Sequence, residues 1–124
     1  MADALAFSPD EKRLAVIENE EAAVIHDLVG DDRAVQLTIA AHRPLSLVFS
    51  PNGRWVISGG MDCTLRVWDA QSGALRQTVK SHTDHIVRLR AVELPEGTRM
   101  ISGSRDGTVK LWDLTFIERR LESR

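Results

Sequence analysis

Arg54-Trp-Val-Ile-Ser-Gly-Gly-Met-Asp-Cys-Thr-Leu-Arg-Val-Trp-Asp69 lines up without gaps against Thr98-Arg-Met-Ile-Ser-Gly-Ser-Arg-Asp-Gly-Thr-Val-Lys-Leu-Trp-Asp113. Seven of the sixteen positions are identical (Ile, Ser, Gly, Asp, Thr, Trp, Asp), at a constant offset of 44. A fixed period of this size marks a repeat architecture and decides the fold class before any local reading. A weaker copy lies upstream at an offset of 42, where Phe7-Ser8-Pro9-Asp10 matches Phe49-Ser50-Pro51-Asn52 and His26-Asp27 falls where Trp68-Asp69 falls. The chain therefore reads as one domain over residues 1–124 built of three units, about 4–41, 42–81 and 82–124.

Inside each unit, short apolar, β-branched stretches alternate with turn residues. In the middle unit these are Leu45–Ser50, Arg54–Ser58, Thr64–Trp68 and Leu75–Val79. Asn52-Gly53 and Asp106-Gly107 suit hairpin turns that need positive φ. Each unit is predicted to be a four-stranded antiparallel meander, and the fold all-β.

Composition bounds the function. With 43% hydrophobic and 27% charged residues the chain is an ordinary globular protein, not a disordered one. A formal charge of −2 gives no electrostatic case for nucleic acid or for an acidic membrane surface. No apolar run approaches a membrane span, and Met1 to Leu5 lack the basic flank of a secretion signal. Cys63 is the single cysteine, so no internal disulfide forms and a reducing, cytoplasmic location is expected.

His42, Ser58, Asp62 and Trp68 in the middle unit recur as His82, Ser102, Asp106 and Trp112 in the last. The set invites a hydrolase triad. A catalytic nucleophile, however, occurs once, whereas this set returns with every good structural unit. The serines also stand in Ser-Gly-Gly and Ser-Gly-Ser, not in the Gly-x-Ser-x-Gly elbow that exposes an oxygen. A buried indole N–H needs an acceptor. Serine can supply it and pass a hydrogen bond to histidine, and histidine can pass one to aspartate, so that each donor is satisfied. The expected role is structural, with no catalytic residue, cofactor or metal. The alternatives are a hydrolase using one of these Ser-His-Asp sets, or a purely structural assembly subunit.

The pattern His…Ser-Gly-x-x-Asp-x-Thr-x-(Arg/Lys)-x-Trp-Asp, carried by His42–Asp69 and His82–Asp113, resembles the WD-repeat β-propeller family. The resemblance is strong over residues 42–113 and weak over 4–41. It implies three radially arranged blades and a non-catalytic scaffold that binds proteins or peptides through loops on one rim, as part of a larger propeller or a multidomain signalling protein. The loops bearing Arg43, Met61, Asp84, His85 and Arg105 are the expected rim, since each histidine must meet its aspartate.

Several departures carry expectations of their own. The first unit has Val16, Glu20 and His26 where the network needs Ser, Asp and Trp, leaving Leu14, Val16, Val24 and Ile25 to hold it. The last unit has thirteen positions from His82 to Pro95 against nine from His42 to Pro51, which predicts a bulge or longer loop near Arg88–Glu93. Its outer strand should begin near Arg119, in competition with a short helix over Phe116 to Leu121 or a frayed tail. Propellers close with about four to eight blades, so three make an incomplete ring, completed by further chain or by self-association, unless the chain is a partly folded remnant. Cys63 occupies a positive-φ turn position and reads as an incidental exposed thiol. Trp55 either packs between blades or anchors a contact. His82 and His85 with one acidic residue are too few for a metal site. Glu18-Asn19-Glu20-Glu21 reads as a solvated turn, with docking of a basic peptide as the sharper alternative.

Overall fold

The computed structural model describes residues 5–19, 22–30, 34–38 and 42–114, and within them the turn-punctuated apolar stretches become strands. Strands β1 (Leu5–Phe7), β2 (Arg13–Asn19), β3 (Ala22–Asp27) and β4 (Ala34–Thr38) form one antiparallel sheet in sequence order. Strands β5 (Pro44–Phe49), β6 (Trp55–Gly60), β7 (Thr64–Asp69) and β8 (Leu75–Lys80) form the second. The third holds β9 (Ile86–Leu94), β10 (Gly97–Ser104) and β11 (Val109–Asp113). The fold is all-β, a row of propeller-type blades. The outer strand expected near Arg119, and the competing helix over 116–121, lie outside the described residues.

The offset of 44 is structural as well as textual. Val56 pairs with Trp68 and Met100 with Trp112; Ser58 pairs with Arg66 and Ser102 with Lys110. The turns match too: Cys63 and Gly107, equivalent residues, have φ of 69° and 87°.

Because side chains alternate across a strand, each blade has two faces, and the core lies between blades. One cluster packs Ala15, Ile17, Ala23, Ile25 and Leu37 of the first blade against Leu47, Phe49, Val56 and Trp68 of the second. The other packs Trp55, Ile57, Leu65 and Val67 of the second against Ile86, Leu89, Met100 and Leu114. The middle blade is covered on both faces, and all six residues of β6 are buried. Each large side chain so buried is worth roughly 1.5–3 kcal/mol. The approach is close enough that a Cβ on Gly59 would lie 2.5 Å from Ile86 Cγ2.

Three expectations resolve differently or more sharply. Of the four residues assigned to hold the first blade, only Ile25 lies in the inter-blade cluster. Alternation sends Leu14, Val16 and Val24 to the opposite face, and Ala15, Ile17 and Ala23 do the packing. Trp55 lies between blades, 1% exposed. No bulge or loop forms over Arg88–Glu93, which pairs without a break with Gly103–Thr98. Instead two extra residues lengthen the β9–β10 hairpin: Ala91 to Met100 spans nine positions, Phe49 to Val56 seven. The other two lengthen the lead-in before Arg88. A longer hairpin keeps every backbone group paired, which a mid-strand loop would not. The register does shift at Val87, but Leu45 marks the same shift in the middle blade, so this irregularity belongs to the repeat.

Candidate functional site

The two buried polar chains are assembled by strand register. Trp68 lies opposite Val56, and Ser58 is two residues further along the same face, so the indole crosses diagonally to the hydroxyl. Trp68 Nε1–H donates to Ser58 Oγ at 2.9 Å, and Ser58 Oγ lies 2.8 Å from His42 Nε2. His42 Nδ1 lies 2.8 Å from Asp62 Oδ1. The last blade repeats this: Trp112 to Ser102 at 2.9 Å, Ser102 to His82 Nε2 at 2.8 Å, and His82 Nδ1 to Asp106 Oδ2 at 3.0 Å. With the proton of each imidazole on Nδ1, indole donates to serine, serine to histidine and histidine to aspartate, leaving no donor idle.

Sequence reading missed one member of each chain. Thr64 Oγ1 donates to Asp62 Oδ1 at 2.8 Å and its N–H to the same oxygen at 3.1 Å; Thr108 does the same to Asp106 at 2.6 and 2.8 Å. The signal was available, since Thr64 and Thr108 are among the seven identities. Arg66 Nη2 adds a bond to Asp62 Oδ2 at 3.0 Å, and the Thr83 N–H one to Asp106 Oδ2 at 3.0 Å.

These contacts set the protonation states. Burial lowers the His42 pKa and outweighs the pull of Asp62 in the other direction, so the ring is neutral near pH 7 and can accept from Ser58. Burial raises the Asp62 carboxyl, but the bonds from Thr64 and His42 overcome it and the net shift is downward. The Thr108 hydroxyl and the Thr83 N–H hold Asp106 well below the usual carboxylate range. Chemically the chains are closed. Ser58 and Ser102 are fully buried, and each oxygen already accepts from an indole. Both nitrogens of His82 are engaged, which leaves no lone pair for a metal, and no group of three or more potential ligands occurs among the described residues.

The loops that carry Arg43, Met61, Asp84, His85 and Arg105 stand at the edge where the aspartates lie. In the middle blade the Met61 N–H donates to the carbonyls of His42 and Arg43, both at 3.1 Å. In the last blade the Arg105 N–H donates to His85 O at 2.9 Å, and Ser104 Oγ to Asp84 O at 3.2 Å. The two blades are tied there by Cys63 O, which accepts from the N–H groups of Ser81 and His82. Arg43 and Arg105 are exposed, Met61, Asp84 and His85 half-buried; His85 Nδ1 is buried without a protein partner. Cys63, expected to be exposed, is half-buried.

At the opposite edge is a cleft of about 640 Å³ between the first two blades, which sequence reading did not anticipate. Lys12, Asp27, Asn52, Arg54 and Gln71 line it. Arg13 clasps the two blades beneath, donating to Gly53 O at 2.8 Å and to Ala70 O at 3.3 Å while lying over Phe49. Among the described residues of the first blade no such chain forms. Val16 is half-buried, His26 bonds Glu18 at 3.3 Å near the surface, and Glu20 and Glu21 lie outside the described residues.

The sequence profile of the family described as "WD domain, G-beta repeat" matches residues 28–69 and 73–113. Among known proteins the chain is similar to human WD repeat-containing protein 36, at 31% identity over 57% of this chain and 7% of that protein. It is similar to U3 small nucleolar RNA-associated protein 21 of Saccharomyces cerevisiae, at 31% over 58% and 7%. It is also similar to striatin-3 of Rattus norvegicus, at 30% over 59% and 8%. The matched stretch thus spans under a tenth of each of these three relatives.

Proposed function

The chain belongs to the WD domain, G-beta repeat family, and from that premise we propose that it is a non-catalytic scaffold segment that holds other proteins or peptides by its loops. Members of the family generally act as interaction scaffolds. The observation that carries the reading here is that the Ser-His-Asp arrangement is duplicated, buried and saturated with internal hydrogen bonds. A hydroxyl that accepts from an indole and donates to a histidine serves the packing of its blade, which weighs against the hydrolase alternative. The rim of Arg43, Met61, Asp84, His85 and Arg105 is the proposed contact surface. It combines exposed guanidinium groups with a half-buried thioether and imidazole, a mixture that suits a peptide or protein carrying carboxylates. The formal charge of −2 favours protein over nucleic acid as the ligand, although one relative is named for association with an RNA. The free thiol of Cys63 favours a reducing, cytoplasmic setting.

Two measurements test this. Proteins retained by the chain in pull-down should be lost when Arg43, His85 and Arg105 are changed together to alanine, with the circular dichroism spectrum unchanged; retention of every partner would refute the rim. Ser102→Ala should lower the unfolding midpoint. An unaltered midpoint together with loss of a hydrolytic activity would make the serine a nucleophile instead.

A further inference from the structure

The repeat sets equivalent positions at the two junctions between blades, and the two junctions fill those positions differently. Between the second and last blades, Trp55, Met100 and Leu114 share one cluster, and all three are 1% exposed. Between the first and second blades the place of Trp55 is taken by Arg13, since Leu14 pairs with Phe7 as Val56 does with Phe49. The place of Leu114 is taken by Ala70, each being the residue that follows the last Asp of a third strand. An indole and an isobutyl group have thus become a guanidinium and a methyl. Phe49, where the last blade has Ala91, returns part of that volume beneath the guanidinium. Above it the cleft of about 640 Å³ stays open.

The polar groups of this cleft are sorted by element. Lys12 and Arg13 follow the turn between β1 and β2, and Asn52 stands on the turn between β5 and β6. Asp27 and Asp69, equivalent at an offset of 42, end the third strands. The acidic groups fix the walls. Asp10 Oδ1 accepts from Ser8 Oγ at 2.6 Å and from the Lys12 N–H at 3.0 Å. Asp27 Oδ1 accepts from the Val29 N–H at 2.9 Å, and Asp69 Oδ1 from the N–H groups of Gln71 and Ser72 at 2.8 and 3.1 Å. Asn52 Oδ1 accepts from Ser50 Oγ and the Arg54 N–H at 2.7 and 2.9 Å, which leaves its amide nitrogen as a donor. Arg13 is the unbalanced group. Half-buried, it donates to two neutral carbonyls, and among the described residues no carboxylate lies within ion-pair distance of it. Those two bonds use two of the five donors of a guanidinium. Its planar fork matches a carboxylate better than it matches separate carbonyls.

We propose that the cleft is a second binding site, which takes a peptide segment by one Asp or Glu side chain seated on Arg13. Lys12 and the amide nitrogen of Asn52 complete the set of donors around that carboxylate. Peptide N–H groups or a basic side chain answer Asp27 and Asp69 on the other wall. A planar monoanion suits the site, whereas the added charge of a phosphate would meet Asp10, Asp27 and Asp69. The same three carboxylates disfavour a run of acidic residues and select a single one beside neutral or basic neighbours. The cleft is preformed, which lowers the cost of binding. A Cβ on Gly73 would lie 2.5 Å from Gln36 O and 2.9 Å from Val35 Cγ1, so the turn after β7 is pressed onto β4. The inference goes beyond the rim reading and uses none of its residues.

Two-dimensional NMR on the isotope-labelled 124-residue chain, titrated with the end-blocked peptide acetyl-Gly-Glu-Gly-Lys-Gly-amide, tests the site. Saturable shifts are expected at the backbone N–H groups of Lys12, Gly53 and Gln71 and at Arg13 Nε, and none at Arg43, His85 or Arg105. Exchanging the glutamate of the peptide for glutamine should raise the dissociation constant at least about tenfold, and Lys12→Glu in the protein should do the same. Arg13→Gln should abolish the shifts with the circular dichroism spectrum unchanged. If that variant loses its fold because Arg13 also joins two blades, the exposed Lys12→Glu decides. Absent shifts, or shifts away from the cleft, overturn the proposal. So does equal binding by the glutamine peptide or by the Lys12→Glu protein. Tighter binding of inorganic phosphate would make this a simple anion site and overturns it. A glutamine peptide with a free C-terminus that binds as well as the blocked glutamate peptide also overturns it, since a chain end would then sit on Arg13. The triple alanine variant of the rim should bind the blocked peptide unchanged, so failure of either site leaves the other standing.

Discussion

Where the middle blade buries Trp68 at 1% exposure, the first blade sets His26 at its surface against Glu18. Where the middle blade places Ser58, the first places Val16. Both blades nevertheless form the same four-stranded meander with the same strand order. The difference shows that the polar chain is not needed to make a blade. It specifies how the front face packs: the indole is buried in the inter-blade cluster while its N–H is held by serine, so one side chain is fixed both within its sheet and against its neighbour. The first blade forms its sheet with Val16 and His26 at the places of Ser58 and Trp68.

The comparison breaks most visibly at its centre. Trp68→Ala should cost about 3–5 kcal/mol, because it opens a large cavity in the cluster shared by two blades. His26→Ala at the equivalent place should stay within about 0.5 kcal/mol, as expected of an exposed pair. Urea unfolding followed at constant m-value distinguishes the two. Equal losses would mean that the first blade depends on its own front face as much as the second does.

A smaller effect isolates the hydrogen bonds from the packing. Ser58→Ala removes few contacts but leaves the Trp68 N–H and His42 Nε2 without partners, at a cost of about 1–3 kcal/mol. Val16→Ser, which copies the missing hydroxyl into the first blade, should give no gain in the unfolding midpoint, since no indole stands at the tryptophan position there and the His26 ring is already bonded to Glu18. The two buried tryptophans make the same point inside one blade. Trp55 Nε1 has no protein partner, and its ring is faced by Arg54 at 5.0 Å and Arg76 at 5.7 Å. Its burial is therefore apolar packing, without the polar clamp that fixes Trp68.

Acid should find the same difference between blades. The His42 pKa is lowered in the folded protein, so below about 6.5, the unfolded value, the unfolded chain takes up a proton that the folded one resists. Stability is full above that pH and declines as pH falls toward the folded value. Asp62 and Asp106, also lowered, add a second decline below their unfolded value near 3.8. Midpoints measured from pH 8 to pH 5 should fall, and His42→Gln should flatten that slope. A midpoint that rises on acidification would show that Asp62 dominates and the imidazole is charged when folded.

How much of this was legible follows from what a repeat reveals. Trp68, Ser58, His42 and Asp62 could be grouped because the same four types recur at the same spacing, and hydrogen-bond chemistry admits few orders among them. Thr64 was equally repeated but passed over, because a turn threonine has an ordinary local explanation. The four extra residues before Pro95 were misplaced because spacing counts residues without saying which side of a hairpin absorbs them. Backbone pairing decided that. Arg13 and the cleft above it were invisible, since the clasp joins residues 40 and 57 positions apart and neither acceptor is a side chain.

The smallest test concerns one turn that the repeat writes in two ways. Cys63 holds φ at 69° and its equivalent Gly107 at 87°, in the left-handed region that costs an ordinary residue roughly 1–2 kcal/mol. Cys63→Gly relieves that strain but gives the unfolded chain more freedom, so the net gain should be about 0.5–1 kcal/mol. The reverse change is the cleaner half of the pair. A Cβ at Gly107 would meet nothing within 4 Å, so Gly107→Ala should lose about 1 kcal/mol through the backbone alone. If Cys63→Gly destabilises while Gly107→Ala behaves as expected, the thiol is contributing packing in the middle blade that offsets its strain. Its half-buried position beside Met61 is where that contact would have to be made.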